Sequence, residues 1–160
     1  HPLEWRHHKL LSQWRTEHPA TQAALEDQHL CQGLTEDDIT TIHAIVTPVS
    51  YDANKTVFRC GDTADSMYLI IEGEVEVLLP TEAGPSKRLA MLSPGMSFGE
   101  MALLNHRTRS ADVRTTRNSQ FAKIVFDEIP EEIRLNLITN FAEQLARKLG
   151  RETRELQHLD

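Results

Sequence analysis

The feature that most constrains the fold is a stretch from Val49 to Phe126 in which apolar and polar residues alternate in short segments. Alternation with a period of two is typical of β-strands, whose successive side chains point to opposite faces. Turn-forming residues separate the segments, and many short strands with frequent turns favour a β-sandwich or jelly roll. The predicted strands are Val49–Tyr51, Thr56–Arg59, Ser66–Ile71, Glu74–Leu79, Arg88–Leu92, Ala111–Thr115 and Phe121–Phe126.

Helical patterns precede the strands. Residues 1–32 are polar with scattered apolar anchors, and Pro19 interrupts them, which predicts a helical linker in two pieces. Thr35 is a good N-cap for a helix over residues 35–47, and Asp38 can complete a capping box with it.

A second helical region follows the strands. Residues 127–158 carry an amphipathic pattern, and Gly150, which costs helix stability, is a candidate hinge within it. We therefore predict a linker over 1–32 and one domain over 33–160, whose strands occupy 48–126.

The most informative motif lies in two short segments that are rich in small residues. Gly99 lets the backbone lie close to a ligand, and the carboxylate of Glu100 can accept hydrogen bonds from a sugar hydroxyl. Arg109 follows nine positions after Glu100, and its planar guanidinium can hold two phosphate oxygens. The combination indicates a pocket for a nucleotide monophosphate. The segments read Phe98-Gly99-Glu100-Met101-Ala102-Leu103-Leu104 and Arg109-Ser110-Ala111.

These segments closely resemble the phosphate-binding cassette of cyclic nucleotide-binding domains, which reads F-G-E-x-A-L-(L/I), a short gap, then R-(A/T/S)-A. The resemblance implies that Glu100 binds the ribose 2′-OH and that Arg109 binds the cyclic phosphate. It further implies supporting ligand contacts from Ser110 and from the backbone at Gly73, Gly99, Met101, Ala102 and Ala111.

The rest of the strand region is similar to the same family. Its usual residues, F-x-x-G-D, Y-(L/I)-I-x-x-G-x-(V/A) and P-G, are matched by Phe58, Gly61, Asp62, Tyr68, Gly73, Val75, Pro94 and Gly95. We read these positions as determinants of the fold, with Gly73 the exception. The resemblance implies an eight-stranded β roll with N-terminal helices and C-terminal lid helices, a short one and a longer one, and we place the break between them at residues 135–137.

The motif leaves the identity of the nucleotide open. Ser110 stands where the family has a hydroxyl that can touch the phosphate or, as Thr, favour guanine, so we favour cAMP over cGMP. The resemblance implies that the lid helix contacts the base, and the candidates are Gln144, Arg147, Arg151, Thr153 and Arg154.

Several output functions remain to be weighed for such a domain. A transcription factor would need a helix-turn-helix with basic residues, and a channel would need membrane spans; neither pattern is present. We find no nucleophile–base pair, zinc pattern or Walker loop, so we predict no catalytic residues in this chain. The alternatives are a degenerate domain that serves protein contact or oligomerisation, and the regulatory part of an enzyme. The opening residues 2–11 faintly resemble the end of a STAS domain, which points to a larger bacterial protein such as a glutaminase or a SulP anion transporter.

Composition limits the partners. The formal net charge of −7 argues against broad nucleic-acid binding, although arginines 107, 109, 114 and 117 make the neighbourhood of the motif locally basic. We expect no metal, because we interpret His1, His7 and His8 as solvent-facing side chains that do not form a complete ligand set. Cys31 and Cys60 fit buried, reduced thiols in a cytoplasmic protein without membrane contact. The apolar stripe of the last helix permits a homodimer.

Overall fold

The computed structural model describes residues 28–105 and 108–158. Eight strands form two four-stranded antiparallel sheets, in the orders β1-β8-β3-β6 and β2-β7-β4-β5. The predicted β-sandwich of jelly-roll type with flanking helices is confirmed. The strands are β1 (Thr47–Tyr51), β2 (Thr56–Phe58), β3 (Ser66–Glu72), β4 (Val75–Thr81), β5 (Gly84–Leu92), β6 (Ser97–Phe98), β7 (Asp112–Thr115) and β8 (Ser119–Val125).

Strand β3 is the centre of the molecule because both of its faces are buried. Met67, Leu69 and Ile71 point towards the helices, and Tyr68 and Ile70 point into the space between the sheets. Strand β8 pairs with β3 and repeats the pattern. A strand that is covered on both sides can be apolar without interruption, which explains the run Met67–Ile71.

Two turns differ from the sequence-based prediction. The hairpin between β4 and β5 turns at residues 82 and 83, with Thr81 opposite Gly84, so Gly84 and Pro85 belong to the strand. The prediction of a turn at Gly84-Pro85 was wrong because two residues suffice to reverse an antiparallel pair. Strand β6, which has only two residues, was not predicted.

The helix before the sandwich begins as predicted. Helix α1 covers Glu36–Ile45, and Thr35 and Asp38 form the capping box through bonds of 3.1 and 3.3 Å. A 3-10 turn, His29–Cys31, precedes it. Of the helical linker predicted over residues 1–32, residues 1–27, with His1, His7 and His8, lie outside the described residues.

The region after the sandwich corrects a prediction. A 3-10 turn, Phe126–Glu128, leads into one continuous helix, α3 (Glu131–His158), with no break at residues 135–137. Gly150 lies within this helix, and its role as a hinge stays a prediction. The helix continues through residues 135–137 because its apolar side chains still follow the helical period there. Leu137 is buried in the core, while Leu135 lies on the exposed face. The expected short and long lid helices are therefore one helix here.

The two cysteines differ in environment. Cys31 is buried in the core beneath the helices, and burial raises the pKa of its thiol to about 11, so it stays protonated. Cys60 is exposed, which corrects the expectation that both thiols are buried. Both are free thiols, as expected.

Candidate functional site

Both segments of the predicted motif line one cavity of about 140 Å³ at the end of the sandwich. Gly99–Ala102 form one wall, where β6 leads into the one-turn helix α2 (Ala102–Asn105), and residues 108–111 form another. The remaining lining is apolar. It comes from Phe58, Val77, Leu92, Phe98 and Val113, which lie on four strands of the two sheets and at the end of β2. The cavity therefore combines an apolar floor with a charged rim.

Arg109 is held on several sides and is only 6% exposed. Its Nη2 donates to the Ser66 hydroxyl at 3.2 Å, and its Nη1 donates to the Gly99 carbonyl at 3.3 Å. Its guanidinium carbon lies 4.1 Å from the centre of the Phe58 ring. Burial lowers the pKa of the guanidinium, and the nearby Tyr68 and acidic groups oppose that shift, so Arg109 remains a cation.

Glu100 is the acidic counterpart in the same cavity. Burial raises the pKa of its carboxyl above the ordinary 4.5, while its own backbone amide, the Ser97 hydroxyl and Arg109 oppose the rise. Its Oε2 is buried without a hydrogen-bond partner in the described part of the chain, and so is Nε of Arg109. Buried polar atoms are rarely left unpaired, so this pair marks a place built to receive polar groups.

Gly99 owes its identity to a close approach. Its φ is +83°, and a Cβ at this position would lie 2.7 Å from Nη1 of Arg109. A larger residue would therefore displace the guanidinium. Of the backbone amides expected to support a ligand, that of Ala102 already donates to the Gly99 carbonyl at 3.4 Å. The contacts predicted for Met101, Ala111 and Ser110 stay predictions, although all three residues line the cavity.

Gly73 does not line this cavity and lies at the turn between β3 and β4. Its φ is +98°, and a Cβ there would clash with the Ser119 side chain. That approach is a sufficient structural reason for glycine. Its contact with a ligand stays a prediction.

Sequence reasoning missed part of the site. Phe58 was assigned to the fold alone, and Ser66, Ser97 and Thr108 were not assigned to the site. The motif F-x-x-G-D drew attention to Phe58, but the contact between its ring and Arg109 depends on how β2 meets the segment before β7.

A second, larger groove of about 740 Å³ adjoins the cavity, and Glu100 and Leu92 line both. Its opposite wall is helix α3, which contributes Gln144 and Arg147 among the candidates for base contact. The other candidates, Arg151, Thr153 and Arg154, have side chains outside the described residues. Its other lining residues are His29, Gln32, Met96, Ser97, Asn140, Glu143 and Lys148.

The fold and the cavity define a small-ligand-binding β roll, and comparison with known proteins identifies its family. Residues 48–134, more than half of the chain, match the cyclic nucleotide-binding domain family. The chain belongs to this family, as the resemblance of its cassette predicted.

Individual relatives support the assignment. Glutaminase 1 of Bradyrhizobium diazoefficiens is 42% identical over 60% of this chain and 14% of its own length. The cyclic AMP receptor protein of Thermus thermophilus is 30% identical over 81% of this chain and 61% of its own. The crystal structure of the catabolite activator protein of Thermus thermophilus matches with a TM-score of 0.70 and 28% identity, over 82% of this chain and 63% of that one. The chain thus spans less than two thirds of each of these proteins.

Among the described residues, no helix combines the length and the apolar character needed to cross a membrane. Within the same residues, no group of His, Cys, Asp and Glu side chains could hold a metal ion.

Proposed function

We propose that this chain is a regulatory domain that binds a cyclic nucleotide, cAMP in preference to cGMP. We further propose that nucleotide binding changes the position of helix α3 and so controls an attached effector. The observation that carries the proposal is the pair of buried, complementary groups in one cavity. Among the described residues, Oε2 of Glu100 is an acceptor without a partner and Nε of Arg109 is a donor without one. A ribose hydroxyl and a phosphate oxygen would complete the two.

The electrostatics favour an anionic ligand of this size. Arg109 is a cation in a mostly apolar cavity, where an anionic oxygen makes a charge-assisted hydrogen bond of more than ordinary strength. Phe98, Val113 and Leu92 supply an apolar surface against which a flat base can be buried. The chain's net negative charge does not oppose this, since the site itself is locally basic.

Helix α3 is the element that can carry the signal. Glu100 lines both the cassette cavity and the groove whose far wall is α3. A ligand that fills the cavity and reaches into the groove would contact Gln144 or Arg147 and so bind one position of α3 more tightly than another. Such differential affinity is what a ligand needs to shift a conformational equilibrium.

Two observations favour cAMP. Ser110, rather than Thr, follows the cassette arginine, and one of the relatives is a cyclic AMP receptor protein.

The glutaminase relative is far longer than this chain, and its similarity supports a parent protein in which this domain regulates an enzyme of that kind. We propose a glutaminase-type effector for that reason.

Calorimetric titration of cAMP and then cGMP into the domain tests the proposal. Wild type should bind cAMP more tightly than cGMP. Arg109→Ala should lose about 2–5 kcal/mol of binding free energy, the usual cost of removing one partner of a buried charge pair. The matched control is Arg114→Ala, since Arg114 is exposed on the adjoining strand β7 and should leave affinity unchanged.

The outcome that contradicts the proposal is a folded wild-type protein, verified by circular dichroism, that binds neither nucleotide at millimolar concentration. In that case the degenerate, protein-contact alternative would take its place. Tighter binding of cGMP than of cAMP would overturn only the assigned base.

A further inference from the structure

We infer that Phe58 and Ser66 are positioning residues that hold Arg109 ready for an anion, with the edge of the guanidinium that carries Nε left for the ligand. This inference rests on the proposed function, because it assigns to Arg109 the role of phosphate ligand. It reassigns Phe58 from the fold to the site, and it gives Ser66 a role beyond the core.

The first support is the ring under the guanidinium. The guanidinium carbon of Arg109 lies 4.1 Å from the Phe58 ring centre, well within the range of a cation–π contact. The ring itself is fixed from behind by Tyr68 and Phe98, whose centres lie 6.2 and 5.9 Å away. Tyr68 and Phe98 stack on each other at 4.9 Å. The cation therefore lies on a ring that is itself part of a packed aromatic cluster.

The second support is the way the two terminal nitrogens are used. Ser66, at the start of β3, is 1% exposed and accepts from Nη2, while the carbonyl of Gly99 accepts from Nη1. A guanidinium has five N–H donors. After these two bonds the donor on Nε is still without a partner in the described part of the chain.

The third support is the backbone of Arg109. Its amide donates to the Asp62 carbonyl at 2.8 Å, and its carbonyl accepts from the Gly61 amide at 2.9 Å. The chain is thus fixed on one side of the residue and the guanidinium on the other. A ligand that meets such a group does not have to order a long, flexible side chain, and this saving appears as affinity.

The effect should be measurable in the affinity for cAMP. Phe58→Leu keeps an apolar side chain but removes the ring face, and it should weaken binding roughly three- to thirtyfold, the range of a cation–π contact expressed as a ratio. Phe58→Tyr keeps the face and should bind like wild type. Ser66→Ala should weaken binding roughly three- to tenfold, as expected for one hydrogen bond.

A control and a double-mutant cycle separate positioning from general packing. Tyr51→Leu removes an aromatic ring of the same cluster that packs on Phe121, so it should leave affinity unchanged. In an Arg109→Ala background, followed by NMR titration at high cAMP, Phe58→Leu should have no further effect, because the residue through which it acts is gone. An equal loss in both backgrounds would overturn the inference and make Phe58 a direct packing surface for the ligand.

A readout without nucleotide distinguishes failure of this inference from failure of the proposed function. The Nε–H resonance of Arg109 in the ligand-free protein should show the ring-current shift of the Phe58 face. That shift should be retained in Phe58→Tyr and lost in Phe58→Leu, whose resonance should approach that of the exposed Arg114. An unchanged resonance in Phe58→Leu overturns the inference. If the ring-current shift is present in wild type and lost in Phe58→Leu as expected, but wild type does not bind cAMP, the nucleotide function is overturned. The positioning role for a phosphate is then overturned with it.

Discussion

The cassette and the seat of helix α3 differ in how their polar groups are paired. By the seat we mean the part of the core on which Ile133, Leu137 and Phe141 of α3 pack. At the cassette, Oε2 of Glu100 and Nε of Arg109 are buried and have no hydrogen-bond partner among the described residues. At the seat, apolar side chains of α3 enter the core, and the Asn140 amide donates to the carbonyls of Leu30 and Gln32 at 2.8 and 2.7 Å.

The difference shows which region is prepared for a ligand. At the seat both N–H donors of the Asn140 amide are paired, so these bonds stabilise one position of α3, although Nε of Arg134 on the same helix has no partner among the described residues. The unpaired atoms at the cassette cost free energy until something pairs them. We therefore expect a ligand to change the energetics of the cassette most, and to act on α3 through the groove that both regions line.

The largest expected effect tests the seat. Leu137 is 1% exposed and Leu135 is 60% exposed, although both belong to α3. Leu137→Ala should lower the free energy of unfolding by about 2–5 kcal/mol, because it removes buried methyl groups and leaves a cavity. The matched Leu135→Ala should change it by less than about 0.5 kcal/mol. Urea denaturation measures both, and equal effects would show that α3 does not dock as described.

The next effect tests the cassette. Gly99→Ala would place a Cβ 2.7 Å from Nη1 of Arg109, whereas at Gly95, which also has positive φ, nothing lies within 4 Å. Both substitutions should strain the backbone, at about 1–2 kcal/mol. Only Gly99→Ala should also weaken cAMP binding, by roughly tenfold or about 1.4 kcal/mol. Calorimetry measures the cAMP affinity of the two variants. Equal affinities would argue against displacement of the Arg109 guanidinium in Gly99→Ala.

A smaller effect isolates the polar bonds of the seat. Asn140→Ala removes two hydrogen bonds to backbone carbonyls and should cost about 1–2 kcal/mol of stability. Asn136, one turn earlier on the same helix, is exposed, and Asn136→Ala is the control. Amide hydrogen exchange along α3 should rise in Asn140→Ala and stay unchanged in the control. Unchanged exchange in both would mean that apolar packing alone holds the helix.

The smallest effect is a pH dependence. The pKa of Glu100 is raised by burial, so between pH 4.5 and that raised value the folded protein binds more protons than the unfolded chain. The contribution of Glu100 to the free energy of unfolding is therefore fully present below pH 4.5, and it is lost as the pH rises through the raised pKa. Glu100→Gln should flatten this part of the ligand-free stability profile. Parallel profiles for the two proteins would show that Glu100 is solvated in solution.

The sequence predicted the elements that depend on local pattern. The alternation of apolar residues predicted seven of the eight strands. The capping box of Thr35 and Asp38 was also predictable, because both partners lie within one helical turn. Asn54, in the turn after β1, has a φ of +62°, a left-handed conformation that asparagine tolerates. The pattern did not predict β6, because two residues are too few to display a period, and it broke α3 where the helix continues.

What the sequence by itself determined was the family, the positions of seven strands along the chain and the identity of Glu100 and Arg109 as partners in one motif. The tertiary structure alone decided what surrounds them. Phe58, Ser66 and Arg109 come from distant positions in the chain, and only the pairing of β2 with β7 and the burial of β3 bring them together. Contacts between separate strands depend on register and packing, which leave no local signal in the sequence.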